Sequence, residues 1–492
     1  MRHLLVRAEH ITSADERWYA DAPPLASMRR MAMRVPTRRQ FLKAGGALGA
    51  AAAAVGPDAL WADVPDIAPG ERPSPVPGVE VRGPRDRVPL SFIIDDSTCL
   101  VNMGHFCMPQ FAEAWPERED YRKPWKTWPR EIPDDFVREF GEWCAGHGVR
   151  GKYSVVPYPA CVGWLDRELP GWSRSELQAS LRLVRELMVP GWDIHPEMIT
   201  HTRMIDLKTG RPFAEITAQT MENWYPGEER SVDELATYIA YALRILRNCD
   251  LPCEGITTPG GFGTGAETAL SRAVGEAVRD VFGAEIPHYF KYVAEGEEST
   301  APRIEHVHGL GTHDPRLVVN VPAGAGDWFG GWEGDEPSRG HLYADAEART
   351  GRMVELIERG VPAIMYCHWP GLYTHGTKDG FRDFQEVVRA LGGRFGDETV
   401  WMKLSEIARY QAARELTSIV HEANEMTLEA PFACPTFTLR VATPATAPPR
   451  VGGRPLEEAR SRPGLAAGGF LREADAVTVC FDLPKGRTVL AL

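Results

Sequence analysis

The chain reads as an α/β protein, and three observations predict it. From Val88 onward, short apolar runs alternate with amphipathic stretches. Ser173 with Glu176, and Ser231 with Glu234, form S-x-x-E boxes that mark two helix starts. After Ser231, the residues Leu235, Ile239, Ala242 and Leu246 recur at helical spacing and give one buried face. Repeated strand–helix units imply parallel strands, because parallel neighbours need a crossover between them. Seven or eight such units over about 320 residues fit the size of a closed (β/α) barrel. A doubly wound open sheet is the alternative layout.

Taken in order, the elements begin with an address. Residues 37–43 read Thr37-Arg38-Arg39-Gln40-Phe41-Leu42-Lys43, and an Ala-rich run follows to Val55. The pair Arg38 and Arg39 before Phe41-Leu42-Lys43 resembles a twin-arginine (Tat) export signal. The resemblance implies the Tat translocation machinery as a partner and a periplasmic or secreted mature protein. It also implies export in the folded state, often with a metal or cofactor in place. The segment from Ala44 to Val55 is far shorter than the ~20 apolar residues needed to span a bilayer, so no stable membrane span is expected. Cleavage is expected after Ala59 or Ala62. About thirty residues precede the signal, an odd length for an address tag, which predicts that translation starts at Met31 or Met33.

Residues 63–87 carry Pro65, Pro69, Pro73, Pro75, Pro77 and Pro84 among glycines and read as a linker. Expected strands follow at 88–95, 152–157, 192–195, 255–258, 289–293, 317–321, 362–368 and 400–404, with helices between many of them. The central unit therefore spans 88–412. Beyond it the character changes. Phe437–Val441, Ala476–Cys480 and Thr488–Leu490 look like strands, and Pro444–Gly468 is rich in Pro and Gly. Residues 413–492 read as a small all-β domain. The N-terminal extension and signal occupy 1–62.

Composition bounds the function. The net charge of −13 argues against nucleic acid as a partner, since a phosphate backbone needs a basic stripe. Nine cysteines cannot all pair. Cys249 and Cys253 are close enough for a disulfide or are packed thiols. No C-x-x-C pair occurs, so no thiolate zinc site is expected.

Three strand ends carry the chemistry. Asp95-Asp96 closes the first strand, and the carboxyl end of a parallel strand is the active-site face of a barrel. Adjacent carboxylates perturb each other's pKa, which serves acid–base work, although such a pair also serves as a turn or helix cap. His195 ends a second strand and begins His195-Pro196-Glu197-Met198-Ile199-Thr200-His201. His195 and His201 are six apart and cannot share a helix face, so they converge only if His195 lies in the loop. Two imidazoles and a carboxylate make a three-ligand zinc site; the alternative is a pair of buried, hydrogen-bonded histidines. His368 ends the strand Ala363–Cys367, where its charge change near neutral pH suits proton donation.

The order of these sites resembles the polysaccharide deacetylase (NodB-like, carbohydrate esterase) family over roughly residues 88–410. That family opens with a strand ending in Asp-Asp, follows with a closely spaced histidine pair, and closes with a strand ending in histidine. The resemblance implies a distorted (β/α) barrel, Asp95 as catalytic base and His368 as general acid. It implies Asp96, His195 and His201 as ligands of a divalent transition metal, zinc first, with cobalt, nickel and iron also suited to such a set. Thr257-Thr258-Pro259-Gly260-Gly261 falls at the family's arginine-containing loop, with Thr258 nearest the arginine position. Asp327-Trp328 falls at its Asp-Trp element. The family's histidines are usually four apart instead of six, a Gly-Pro usually stands where Ser97-Thr98 does, and the loop arginine that holds the base is absent. These departures point to a divergent subfamily. Trp192, Trp369, Thr258, Asp327 and Trp328 are the expected carbohydrate-binding residues.

The expected function is an exported metal-dependent hydrolase that removes an N- or O-acetyl group from a carbohydrate. A non-catalytic carbohydrate-binding protein is the alternative from another class. A glycan-cleaving hydrolase pairing Asp95 with Glu197 as second acid is the third.

Overall fold

Two strands begin the described chain, β1 (Val79–Val81) and β2 (Val88–Asp95). The computed structural model describes residues 72–226, 230–296, 299–444 and 447–492, which fall within the unit Pro65–Leu492. Arg38, Arg39 and the expected cleavage sites lie outside the described residues.

Every residue of β2 is buried. That suits its near-continuous apolar run, because a parallel strand is covered on both faces. It centres a sheet of order β9-β2-β3-β4, made with β3 (Gly151–Ser154), β4 (Trp192–His195) and β9 (Ala363–His368). All of these pairings are parallel. A second sheet runs β5-β6-β8-β7, from β5 (Gly255–Thr257), β6 (His288–Phe290), β7 (Arg303–His308) and β8 (Arg316–Asn320). There β5, β6 and β8 are parallel and β7 is antiparallel to β8. Two main-chain bonds join the sheets: Thr257 N–H of β5 to Pro196 O after β4 at 3.0 Å, and Gly324 N–H, after β8, to Ile364 O of β9 at 2.9 Å. The strand β10 (Thr399–Trp401) adds in parallel beside the start of β2.

The helices follow from their caps and faces. In α1 (Arg174–Leu183) and α2 (Val232–Asn248) both serine–glutamate boxes are formed. Leu235, Ile239, Ala242 and Leu246 of α2 are all buried. A later helix, α3 (Leu404–Leu416), connects the parallel strands to the C-terminal strands. The eight strands expected between Val88 and Leu404 each overlap an observed one. The antiparallel β7 escaped, because Arg303, Glu305 and the two histidines break its apolar pattern at an open edge.

After α3 come β11 (Ser418–Glu422), β12 (Glu425–Ala430), β13 (Cys434–Val441), β14 (Gly469–Arg472), β15 (Val477–Leu483) and β16 (Gly486–Ala491). Phe437, Leu439, Val479, Phe481, Met426, Leu428 and Leu490 share one buried cluster with Tyr410 and Ala413 of α3. The expected linker is corrected here. Its last part is not free chain, since β1 pairs antiparallel with β13, Val79 opposite Val441 and Val81 opposite Leu439. The alternation Val-Glu-Val is the reason: both valines pack on that cluster. All nine cysteines are free thiols, so Cys249 and Cys253 do not bridge.

Candidate active site

Asp95 and Asp96 stand at the carboxyl end of β2. Asp95 keeps the strand's direction, whereas Asp96 takes a left-handed φ of 55°. Asp tolerates that conformation better than most residues, and it re-aims the second carboxylate. Lys152 of β3, fully buried, donates to the Asp95 carboxylate. The same ammonium donates to Ile94 O at 3.1 Å and to Ser154 Oγ at 2.7 Å, so all three of its protons are used. Burial, then the Glu197 charge, pushes Asp95 up to about 6, against the pull of Lys152 and His368.

Glu197 and His201 meet Asp96. His201 Nε2 lies 2.9 Å from Asp96 Oδ1 and 3.2 Å from Glu197 Oε1. The other oxygen of Glu197 accepts the Asp96 N–H at 2.8 Å. One ligand atom from each of Asp96, Glu197 and His201 lies within 4.8 Å of the others, and all three residues are buried. Both Asp96 oxygens and His201 Nδ1 lack a hydrogen bond of acceptable geometry. Burial opposes charge on His201, but Asp96 and then Glu197 outweigh it and hold the imidazolium well above the usual range. A proton on His201 thus stands between two buried carboxylates, which is where a cation fits.

The loop that carries His201 is pinned from beneath. The buried Glu222 carboxylate accepts the N–H groups of Ile199 (3.1 Å), Thr200 (3.0 Å) and His201 (2.7 Å), and Tyr238 Oη–H at 2.6 Å. Met198 and His201 have φ of 49° and 63°, and this carboxylate compensates that turn. Burial pushes Glu222 up to about 7, against those donors.

His368, at the end of β9, is the register partner of Asp95. Its Nδ1 is 2.7 Å from Asp327 Oδ2, and its Nε2 is 3.0 Å from Tyr366 Oη. A carboxylate on Nδ1 fixes the tautomer and leaves Nε2 to exchange a proton with whatever faces it.

The strand ends therefore bring Asp95, Asp96, His201 and His368 together, and they separate His195 from them. His195 Nε2 is instead 3.0 Å from His288 Nε2, in a group with Asp193. The reason is pleat: His195 is still in β4 and points between the strands, whereas Glu197 and His201 lie in the loop. Trp192 and Trp369 are also corrected. Trp192 packs on Phe92 and Phe140, and Trp369 on Phe136, Phe140 and Tyr153, so both belong to the core. Asp327 is spent on His368. Thr258 is buried, with Phe290 O 3.5 Å from its hydroxyl. Trp328 is half-buried against Tyr343. The aromatic neighbour of His201 is Phe111, which packs on Trp332 and Tyr121. Sequence reasoning missed Lys152 and Glu222 outright and left Glu197 outside the ligand set. The signal for Glu197 was its spacing of four from His201; nothing in the sequence marked the other two.

Residues 35–55 match the model of the TAT (twin-arginine translocation) pathway signal sequence, so the chain carries a Tat export signal. Among the described residues, no helix is long and apolar enough to cross a membrane. No curated protein matches the chain. Among solved structures, a probable polysaccharide deacetylase from Pseudomonas aeruginosa PAO1 is similar at 10% identity and a TM-score of 0.37, over 66% of this chain and 90% of that one. Puue allantoinase is similar at 11% identity and a TM-score of 0.36, over 70% and 96%. An α-fucosidase of Thermotoga maritima is similar at 9% identity and a TM-score of 0.24, over 84% and 97%.

Proposed function

We propose that the mature chain is a metal-dependent hydrolase that removes an N- or O-acetyl group from a carbohydrate. Residues 88–412, read as a distorted (β/α) barrel, form its catalytic domain, and 413–492 form a β-rich appendage. One observation carries the reading. Asp96, Glu197 and His201 are buried with one ligand atom of each within 4.8 Å of the others, at the strand ends that also present Asp95 and His368. The carbohydrate is inferred from the order of motifs shared with the polysaccharide deacetylase family.

Asp96, Glu197 and His201 would hold the ion, which supplies Lewis acidity and lowers the pKa of a water molecule it binds. Two carboxylates and one imidazole accept Zn²⁺ and suit Fe²⁺ or Mn²⁺ as well. Asp95 takes the proton of the attacking water, and Lys152 fixes where its carboxylate points. The burial that pushes Asp95 up helps a base work near neutral pH. His368, oriented by Asp327, delivers a proton from Nε2 to the departing amine or alkoxide. Lys152 performs from β3 the service that the family's loop arginine performs elsewhere, which accounts for a threonine at position 258.

The test is metal content and acyl release measured together on the mature chain. Wild type is expected to release acetate from acetylated glycans and to fall silent with EDTA. Glu197→Gln is expected to lose the ion and the activity while staying folded. Acetate release that survives chelation, or full metal content in Glu197→Gln, defeats the assignment.

A further inference from the structure

A second group of ligand-type side chains lies in the interior, apart from the residues just used. His195 Nε2 faces His288 Nε2 at 3.0 Å, and His288 Nε2 lies 3.7 Å from Asp193 Oδ2. One ligand atom from each residue falls within 4.8 Å of the others. Both rings are fully buried. They meet over Gly255, the register neighbour of His288: a Cβ there would stand 2.6 Å from His195 Nε2 and 2.8 Å from His288 Cδ2. A side chain at position 255 would fill the place where the two nitrogens converge.

The second nitrogen of each ring leaves Nε2 uncommitted elsewhere: His195 Nδ1 lies 3.4 Å from Thr257 Oγ1, and the buried Nδ1 of His288 has no hydrogen-bond partner. Both Nε2 atoms point at one place beside a carboxylate, and two imidazole nitrogens with one oxygen are a transition-metal donor set. The carboxylate has matching support: Asp193 Oδ2 accepts Ser405 N–H at 2.6 Å and Oδ1 lies 2.9 Å from Ser405 Oγ, both at the start of α3. Ser405 also lines a cavity with Arg150 and Glu254 beside the amino ends of β3 and β5.

We propose that Asp193, His195 and His288 form a second site for a divalent transition-metal ion, distinct from the one at the strand ends. Two nitrogens and one oxygen suit zinc, and an interior ion tying β4, β6 and α3 together serves structure. The competing arrangement is a histidine pair sharing one proton, with Asp193 acting only on α3.

The experiment counts ions in the folded mature chain, loaded with zinc and then dialysed. The variant Asp96→Asn/His201→Gln removes the ligands at the strand ends. It is expected to retain about one ion per chain, and adding His288→Gln is expected to abolish it. No ion in the folded double variant overturns the proposal, as does an ion retained after His288→Gln. Should the triple variant fail to fold, the double variant loaded with cobalt(II) decides. Paramagnetically shifted proton signals from two histidine rings support the site, and their absence overturns it. One ion in wild type and none in the double variant would defeat this site and leave the outer one standing. One ion in both would do the reverse.

Discussion

Asp95 rests on a buried ammonium, whereas Asp96, one residue later, faces the His201 ring beside Glu197. Under the proposed mechanism this difference gives them separate roles. Asp95→Asn and His368→Ala are each expected to cut turnover by about 10²–10⁴-fold, the usual scale for a lost base or acid. Both should keep the ion bound by Asp96, so metal analysis beside kinetics separates the two classes. Lys152→Met strands a buried carboxylate and is expected to destabilise the fold by about 3 kcal/mol, read from urea unfolding. Equal stability would mean that Asp95 already carries a proton. The placement of Asp95, Asp96 and His368 at strand ends was legible, because apolar runs that stop at a charged residue mark where a parallel strand finishes. The pairing of His195 with His201 misled. The side chain that meets His201 is Glu197, four residues before it, whereas His195 stays within its strand. Lys152 was illegible, because one lysine in a strand reads as an exposed residue until its neighbours are known.

At the scale of elements, the loop from Pro196 to Thr202 depends on Glu222. Removing that carboxylate leaves three main-chain N–H groups and a phenol unsatisfied, and Glu222→Ala is expected to cost about 3–5 kcal/mol. The same residue gives a pH dependence. Its ordinary pKa of 4.5 rises to about 7 in the folded chain. The folded state therefore binds more protons than the unfolded state between those values. Its contribution is fully present below pH 4.5 and is lost as pH rises through 7. Glu222→Gln should remove this slope, seen as a stability difference from wild type that changes between pH 5 and 7. A difference that stays constant with pH would refute it. The helix starts needed no such distant partner. Ser173 with Glu176 and Ser231 with Glu234 were readable because each cap closes within four residues, whereas Glu222 acts across a gap with no repeating pattern.

Over the whole molecule, the C-terminal strands share one apolar cluster with α3. Phe437→Ala empties its middle and is expected to destabilise the chain by about 3–5 kcal/mol, measurable as a lowered unfolding midpoint. The expected layout of parallel strands followed by antiparallel ones was readable because the two periods differ, continuous apolar runs first and alternation later. The partner of β1 was not, since a three-residue strand has too little pattern to announce a mate at the other end of the chain. Replacing Arg38 and Arg39 by lysine is expected to leave the precursor in the cytoplasm, shown by fractionation, because the pair lies within the matched signal. The reach of β1 has a consequence for timing. The ribosome releases Val79–Val81 early, yet their place in the sheet does not exist until Leu439 and Val441 have been made. The stretch next to the export signal is therefore among the last to settle, and it settles only in a finished chain.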